Sequence, residues 1–444
     1  MNILLLNPPF RKPVIREGRC QTELATRNCS IPQMSLSYMA TQLERAGHRC
    51  QIIDSIAIDA DEKLIKMAIQ YNKYELVFVN TSTPTIESDL SVCEMIRLQT
   101  GAKVAVFGCH VTALADEIMA TGKVDCIISG EPELSAVEIA KELSSHGKLS
   151  QWNYECPPVD NLDMLGFPAR HLLPNNLYIH PVYGKPFATI NIARGCPHGC
   201  IFCTASQYYG KGVRVRSCES IIREIEHCIE RYGIKHFWMY AEDGLCKNSP
   251  VHDAYFVLRA KELGITWWCN SRADNIDVPT AARLKKSGCV LVSIGAESGD
   301  RHTLDIIGKR SSPETTKRAV RCLREAGVES LPYFIIGWPW DWKGTIDTTI
   351  DFACELDSDY CEFYTPTPFP GTDLYRLYRD DIEILDWSRF YCGGTEDIYG
   401  TAQGDIKRAY RRFYLRPKYI ARKLFSRNLW RLAKFGIRRL LWSI

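Results

Sequence analysis

Three observations predict an α/β protein with two parallel-sheet units and a basic helical C-terminal tail. Short apolar runs alternate with helix-like stretches in two successive blocks. Each block repeats strand, crossover, strand, which is the pattern of a parallel sheet. The last forty residues, 405–444, hold thirteen Lys/Arg and one acid, Asp405. The expected architecture is a doubly wound N-terminal sheet, a partial (β/α)6 barrel and the basic tail.

In the first block, residues 1–145, strands are expected at 3–6, 50–53, 76–80, 104–107 and 126–128. Helices are expected near 35–46, 61–71, 86–97, 112–121 and 133–145. Open sheets of this kind bind ligands at the carboxyl ends of their strands. Those ends carry Asn7-Pro8-Pro9, Thr81-Ser82-Thr83, Gly108-Cys109-His110 and Gly130-Glu131, all small or polar. As residues alone they suit a ligand or a plain turn equally.

Residues 146–186 hold Pro157-Pro158, Pro168 and Pro174-Asn175-Asn176 and read as an ordered linker. The second block, residues 187–380, begins with a strand at 187–192. Further strands are expected at 236–240, 266–269, 290–294, 331–336 and 360–364, and helices at 217–231, 250–263, 278–287, 313–326 and 344–356. Such a barrel places its chemistry at the carboxyl-terminal face of its strands. Residues 381–444 form the C-terminal region.

The chain has 444 residues, 45% hydrophobic and 24% charged, which suits two to three globular domains and excludes a largely disordered or fibrous protein. The opening Met1-Asn2-Ile3-Leu4-Leu5-Leu6-Asn7-Pro8-Pro9 lacks the features of a signal peptide, and no apolar run is long enough to span a membrane. A cytoplasmic setting is therefore expected, with most of the nineteen cysteines reduced and buried as small apolar side chains. The net charge of +3 combines a tail at +12 with a remainder at −9.

Immediately after the first strand of the second block stands Arg194-Gly195-Cys196-Pro197-His198-Gly199-Cys200-Ile201-Phe202-Cys203. Cys196, Cys200 and Cys203, spaced Cys-x3-Cys-x2-Cys, fit on one short loop. Iron–sulfur clusters take thiolate ligands, normally four for a cubane, so three leave one iron open. A structural zinc site wants four closed ligands, and His198 keeps zinc formally open.

With Phe202 before its last cysteine, this loop resembles the signature of radical S-adenosylmethionine (SAM) enzymes. The resemblance continues through Arg272-Ala273-Asp274, Ser293 to Gly299, Lys309, Tyr333 to Pro339 and Pro368 to Thr372, and covers about residues 187–380. It implies a 4Fe-4S cluster on Cys196, Cys200 and Cys203 that binds SAM and cleaves it after one-electron reduction, producing a radical that abstracts hydrogen from the substrate. By family position, Phe202, Glu242, Arg272, Glu297, Ser298, Ile336 and Gly337 address SAM. Glu242, in Ala241-Glu242-Asp243-Gly244, would hold its amine, although this segment departs from the common Gly-Gly-Glu pattern. Glu297, Ser298 and Arg272 would meet its ribose and carboxylate, and the backbone of Ile336 and Gly337 would receive its adenine.

The first block resembles the Rossmann-like cobalamin-binding domain found ahead of the radical core in one branch of that superfamily. Asn7, Ser82, Gly108, His110, Thr112, Gly130 and Glu131 are the positions this assigns to cobalamin. The Asp-x-His-x-x-Gly motif of methionine-synthase-type domains is absent, so the resemblance implies cobalamin without His110 as its lower axial ligand. The whole layout is similar to the anaerobic magnesium-protoporphyrin monomethyl ester cyclase and to cobalamin-dependent radical SAM methyltransferases. It implies methylation or oxidative cyclisation of a small apolar metabolite, lipid- or tetrapyrrole-like, with flavodoxin or ferredoxin as electron donor. No catalytic residue follows from the sequence. Cys246, Cys269 and Cys361 near strand ends read as packing first and substrate chemistry second.

From residue 419 onward, apolar Ile420, Leu424, Trp430, Phe435 and Leu441 are interleaved with bases, as in a helix lying on an anionic membrane surface. A peripheral position at the inner face of the membrane is the expectation. Packing on the barrel is the second reading, and nucleic acid the least expected partner. Two other functions compete with the main one. The first is a radical SAM methylthiotransferase acting on tRNA or protein, for which Cys20, Cys29 and Cys50 would mimic extra cluster ligands. The second is a non-catalytic cobalamin or redox sensor.

Overall fold

The computed structural model describes residues 1–424, apart from 18, 20, 24–29, 181–182, 383–384, 395 and 403. The N-terminal sheet is built from Asn2–Asn7 (β1), Arg49–Asp54 (β2), Leu76–Asn80 (β3), Lys103–Phe107 (β4), Cys126–Ile128 (β5) and Asn153–Tyr154 (β6). All pairs are parallel and the order is β2-β1-β3-β4-β5-β6. The five expected strands form. The sixth comes from within the stretch read as a linker, where a two-residue segment is too short to leave a pattern.

Successive side chains of a strand face opposite sides, and β1 shows why its run is apolar throughout. Ile3 and Leu5 join Leu36, Met39 and Ile139 from the helices Met34–Arg45 and Pro132–His146. Leu4 and Leu6 join Ile65 and Ile96 from Glu62–Asn72 and Ile86–Thr100 on the other face. A strand covered on both faces has no polar side to present.

The second sheet opens with Ala188–Asn191 (β7). A two-residue antiparallel ribbon, Ala193–Arg194 (β8) with Arg214–Val215 (β9), brackets the cysteine loop. The sheet continues through His236–Tyr240 (β10), Thr266–Ser271 (β11), Cys289–Glu297 (β12), Glu329–Ile335 (β13) and Glu362–Tyr364 (β14). Its order, β14-β13-β12-β11-β10-β7, is parallel throughout, which is the expected six-stranded partial barrel. The helices outside it, Cys218–Tyr232, Ala254–Leu263, Val278–Lys286, Pro313–Ala326 and Lys343–Leu356, follow the sequence periodicity closely. Four of them start on a side-chain cap (Ser217, Asp253, Asp277 and Ser312), the arrangement that marks helix starts in sequence.

The tail departs from the membrane reading as far as residue 424. It forms helices Asp405–Tyr414 and Pro417–Leu424, and Phe413, Tyr410 and Tyr414 are buried against the barrel. The bases pair with barrel acids: Arg408 with Asp347, Arg412 with Asp351, and Arg422 with Asp357 at 3.0 Å. Packing on the barrel therefore accounts for these charges. Residues 425–444, including Trp430, Phe435 and Leu441, lie outside the described residues. No helix among the described residues is long and apolar enough to cross a membrane.

Candidate functional site

The cysteine loop runs from β8 to the short helix Ala205–Tyr208. It leaves β8 through Gly195 at φ +93°, where a side chain would drive into the carbonyl of Gly212. That clash selects glycine. Cys196 N–H donates to the Gly210 carbonyl at 3.1 Å and Ile201 N–H to that of Ile307, so the loop is pinned at both ends. All three cysteines are free and partly exposed. Burial pushes the Cys196 thiol up to about 11 and raises that of Cys200, so without a metal both stay protonated at neutral pH.

Among the described residues no three His, Cys, Asp or Glu side chains converge as a single-ion site. Four closed ligands for zinc are thus not assembled there. Thiolates that each take a different iron of a cluster surround it without meeting at a single ion, and the donor set fits that group.

Glu242 follows β10 and turns toward this loop. Its Oε2 accepts from Gly195 N–H at 3.2 Å, while its buried Oε1 has no hydrogen-bond partner. Burial raises its pKa, with the cation of Arg19 opposing. The Tyr240 hydroxyl also favours its charged form, and the ammonium of SAM has the right chemistry to approach its open oxygen. Arg19 approaches from the N-terminal unit, donating to the Glu242 carbonyl at 3.3 Å and toward Cys203 Sγ at 4.0 Å. Nothing in the sequence singles out this arginine.

On the other side, Glu297 sits at φ +65° where the register of β12 against β13 shifts. Its Oε1 accepts from Lys309 Nζ at 2.8 Å, and Gly295 leaves room for that pair. Arg272 donates to the Lys309 carbonyl at 2.7 Å and to Asp274 at 3.0 Å. Cys200 Sγ lies 3.9 Å from the neighbouring Gly308 carbonyl. Glu297, Lys309, Arg272 and Cys200 are therefore one connected group.

Other expected SAM positions are engaged within the protein. Ser298 Oγ lies 3.0 Å from Thr349 Oγ1 and accepts from Asp300 N–H, ordering the turn into Arg301–Ile306. Ile336 N–H donates to the Tyr364 carbonyl. Gly337, at φ +91°, lies under Ala402, and its N–H donates to Asp341 at 2.9 Å. Phe202 packs on Trp338 with ring centroids 5.6 Å apart.

At the end of the N-terminal sheet, Asn7 binds Asp54 at 2.7 Å and Arg16 at 2.8 Å. Ser82 bonds to Thr85, and Thr112 bonds to Gly108 and Gly130. The buried His110 places Nδ1 3.3 Å from Thr83 Oγ1 and its ring edge-on to Trp387 at 5.1 Å. Burial depresses its pKa to about 4, so it is neutral. Gly130, at φ +77°, faces open space, and the buried Gln21 Nε2 has no partner while its Oε1 holds Thr83 N–H. An open glycine at one strand end and an orphaned amide donor over another fit the amide fringe of a corrin.

Glu131 points elsewhere. Its carboxylate takes Arg194 at 2.8 Å and Arg214, and Glu133 takes Arg194 at 2.6 Å. The two arginines are the paired residues of the β8–β9 ribbon. Glu131 thus joins the end of the N-terminal sheet to the base of the cysteine loop, a link separated by 63 residues in sequence.

The sequence matches the radical SAM superfamily over residues 190–353 and the B12-binding domain over residues 24–140. An uncharacterized methyltransferase of Pyrococcus horikoshii is 28% identical over 99% of this chain and 98% of its own. The anaerobic magnesium-protoporphyrin IX monomethyl ester cyclase of Rubrivivax gelatinosus is 24% identical over 81% of this chain and 68% of its own. Among solved structures, the radical SAM methyltransferase TsrM from Kitasatospora setae, with cobalamin and a 4Fe-4S cluster bound, superposes with a TM-score of 0.67. It is 18% identical, covering 86% of this chain and 75% of that one, which establishes a shared fold. Both sequence matches fall on the two sheets described above, so the chain carries a B12-binding domain ahead of a radical SAM domain.

Proposed function

We propose that this protein cleaves SAM at a 4Fe-4S cluster held by Cys196, Cys200 and Cys203, and that it uses cobalamin to methylate or oxidatively cyclise an apolar metabolite. The observation that carries this reading is the contact of Glu242 with the cysteine loop. A half-satisfied buried carboxylate lies beside three free thiols, at the carboxyl-terminal face where barrels of this type do their chemistry. When bound, the cluster supplies a low-potential electron and cobalamin supplies a methyl carrier or redox partner.

In this reading Glu242 holds the SAM amine through its unpartnered Oε1. The Glu297–Lys309–Arg272 group fixes the far wall beside Cys200 and presents charge toward the SAM ribose and carboxylate. Gly195 lets the loop turn sharply, and Phe202 on Trp338 shields the loop's outer end from water. Gly130 and Gln21 offer backbone space and an amide donor to the corrin. Asn7, Thr112 and Glu131 act one step back, ordering the segments that meet it. An electron donor of the flavodoxin or ferredoxin type completes the cycle. Contact with a membrane surface falls to residues 425–444, which carry Arg427, Arg431, Lys434, Arg438 and Arg439.

The test is anaerobic purification with cobalamin supplied, then iron, cobalt and SAM-cleavage assays. About four irons and one cobalt per chain, with 5′-deoxyadenosine or S-adenosylhomocysteine formed under reduction, are expected. Iron without corrinoid after reconstitution would remove cobalamin from the reading. Both cofactors without any SAM cleavage would favour the sensor.

A further inference from the structure

The inward face of the barrel differs sharply from its outward face. On β10 and β11 the outward Phe237, Met239, Trp267 and Cys269 are fully buried, and Trp267 meets Phe256 of helix Ala254–Leu263 at 5.9 Å. Their neighbours Trp238 and Asn270 point the other way and keep partial exposure, as do Tyr333 and Tyr364 on β13 and β14. Trp238 and Tyr333 lie mid-strand, where a side chain stays accessible only if the space before it is not filled.

Three layers line that space. The lowest is aromatic, with Trp238 and Trp268 on paired positions of β10 and β11. It is closed from beneath by His180, 4.3 Å from Trp268, and by Tyr183, whose hydroxyl donates to Glu329 at 3.2 Å. The next is polar, with Asn191 paired to Tyr240 and Asn270 paired to Ser293. Tyr240 precedes Glu242 by two residues, so this belt lies under the SAM-facing carboxylate. Above it Tyr333 and Tyr364 pack with centroids 5.8 Å apart, and the Tyr364 hydroxyl donates to Glu362.

Buried polar atoms without a partner on this wall include Asn191 Oδ1, an acceptor, Trp238 Nε1, a donor, and the Oγ1 of Thr189, the residue paired with Trp238. An unpaired buried polar group is destabilising, and a ligand with complementary edges relieves it. The inward positions of the six strands carry Glu329 and Glu362 and neither Lys nor Arg.

We propose that this lumen takes a flat, conjugated, neutral or cationic ring system, with Asn191 accepting from a ring N–H and Trp238 donating to a ring acceptor. The inference rests on the proposed SAM-cleaving function and narrows its substrate. Aromatic walls favour planar π-systems. A floor closed by His180 and Tyr183 gives a long acyl chain no passage, and the acidic wall disfavours a polycarboxylate. Asn191 and Trp238 then set specificity by their opposite hydrogen-bonding polarity.

The experiment is calorimetric titration of the anaerobic, cluster-loaded protein with SAM present, using three probes: indole (an N–H donor), quinoline (a ring-nitrogen acceptor) and dodecanoate. Both ring probes should bind at least about tenfold more tightly than dodecanoate. Asn191→Leu should weaken indole about fivefold and leave quinoline unchanged, while Trp238→Phe should do the reverse, factors that correspond to one hydrogen bond. Trp238→Phe keeps an aromatic ring in place and Asn191→Leu is close in volume, so each variant serves as folding control for the other. Dodecanoate binding as tightly as the rings, or both variants affecting both probes alike, overturns the proposal. Iron content and SAM cleavage, measured on the same samples, report separately on the underlying function.

Discussion

Arg194 stands one residue before the cysteine loop and donates to Glu131 at 2.8 Å and to Glu133 at 2.6 Å. All three side chains are nearly inaccessible to water. The guanidinium also lies over the rings of Tyr38 and Tyr209, at 5.5 and 5.9 Å. The B12-binding domain therefore holds the base of the loop directly, and this buried ionic contact, together with those of Arg214 to Glu131 and Arg19 to the Glu242 carbonyl, ties the two proposed cofactor sites to each other.

Removing Arg194 should consequently be severe. Arg194→Met leaves Glu131 sharing only Arg214 and leaves Glu133 buried without its cation. Breaking a buried pair from one side costs about 3–5 kcal/mol, and urea denaturation of the apoprotein should show a loss of that size. Glu131→Gln together with Glu133→Gln should recover part of it in the Arg194→Met background. A loss below about 1 kcal/mol would mean that the contact does not bear on stability.

Gly195→Ala is predicted to lose the cluster rather than simply weaken it. The new methyl group meets the Gly212 carbonyl, and the residue sits at φ +93°. Strain of this kind costs about 1–3 kcal/mol, and it falls on the turn that places Cys196. Reconstituted Gly195→Ala should hold well under half the iron of the parent protein with little change in far-UV circular dichroism. Full iron content would show that the loop can move aside.

Much of this was legible in the sequence wherever the information is local. The cysteine spacing, the strand runs and the capped helices Pro313–Ala326 and Cys218–Tyr232 depend on residues a few positions apart. The roles of Glu131, Arg19 and Ser298 do not. Glu131 has the motif position of a ligand contact, yet its partners are two arginines more than sixty residues away, and only the packing of one domain on the other brings them together. Ser298 sits in a motif that suggests SAM, while its hydroxyl is engaged with Thr349 on a helix fifty-one residues downstream. β6 leaves no trace in the sequence because two residues paired to β5 carry no periodicity. For the basic tail up to residue 424, charge composition alone does not separate a membrane surface from packing on the barrel, because it does not reveal that Asp347, Asp351 and Asp357 lie opposite.

Glu242→Gln tests the SAM contact without disturbing the loop. Glutamine can still accept the Gly195 N–H bond but offers no charge to an ammonium. SAM affinity, measured by anaerobic equilibrium dialysis, should fall about tenfold or more, in line with about 1.5–3 kcal/mol for a hydrogen bond to a charged group. Iron content should stay at the parent level. Unchanged affinity would move the amine site elsewhere, with Glu297 the next candidate.

His110 makes stability depend on pH with a definite sign. Its ring is buried, its pKa is depressed from 6.5 to about 4 by desolvation, and it faces Thr83 and Trp387. The unfolded chain therefore binds a proton between these values that the folded chain refuses. The contribution of His110 is fully present above about pH 6.5 and is lost as pH falls toward 4. The full difference is about 3 kcal/mol at 1.36 kcal/mol per pKa unit. A His110→Gln variant has no such proton to bind. Denaturation of both apoproteins at pH 7.5 and pH 4.5 should show the parent protein losing roughly 2–3 kcal/mol more than the variant across that interval. Parallel losses would mean that the imidazole protonates in the folded state at its ordinary pH, which requires water or a carboxylate to reach the ring.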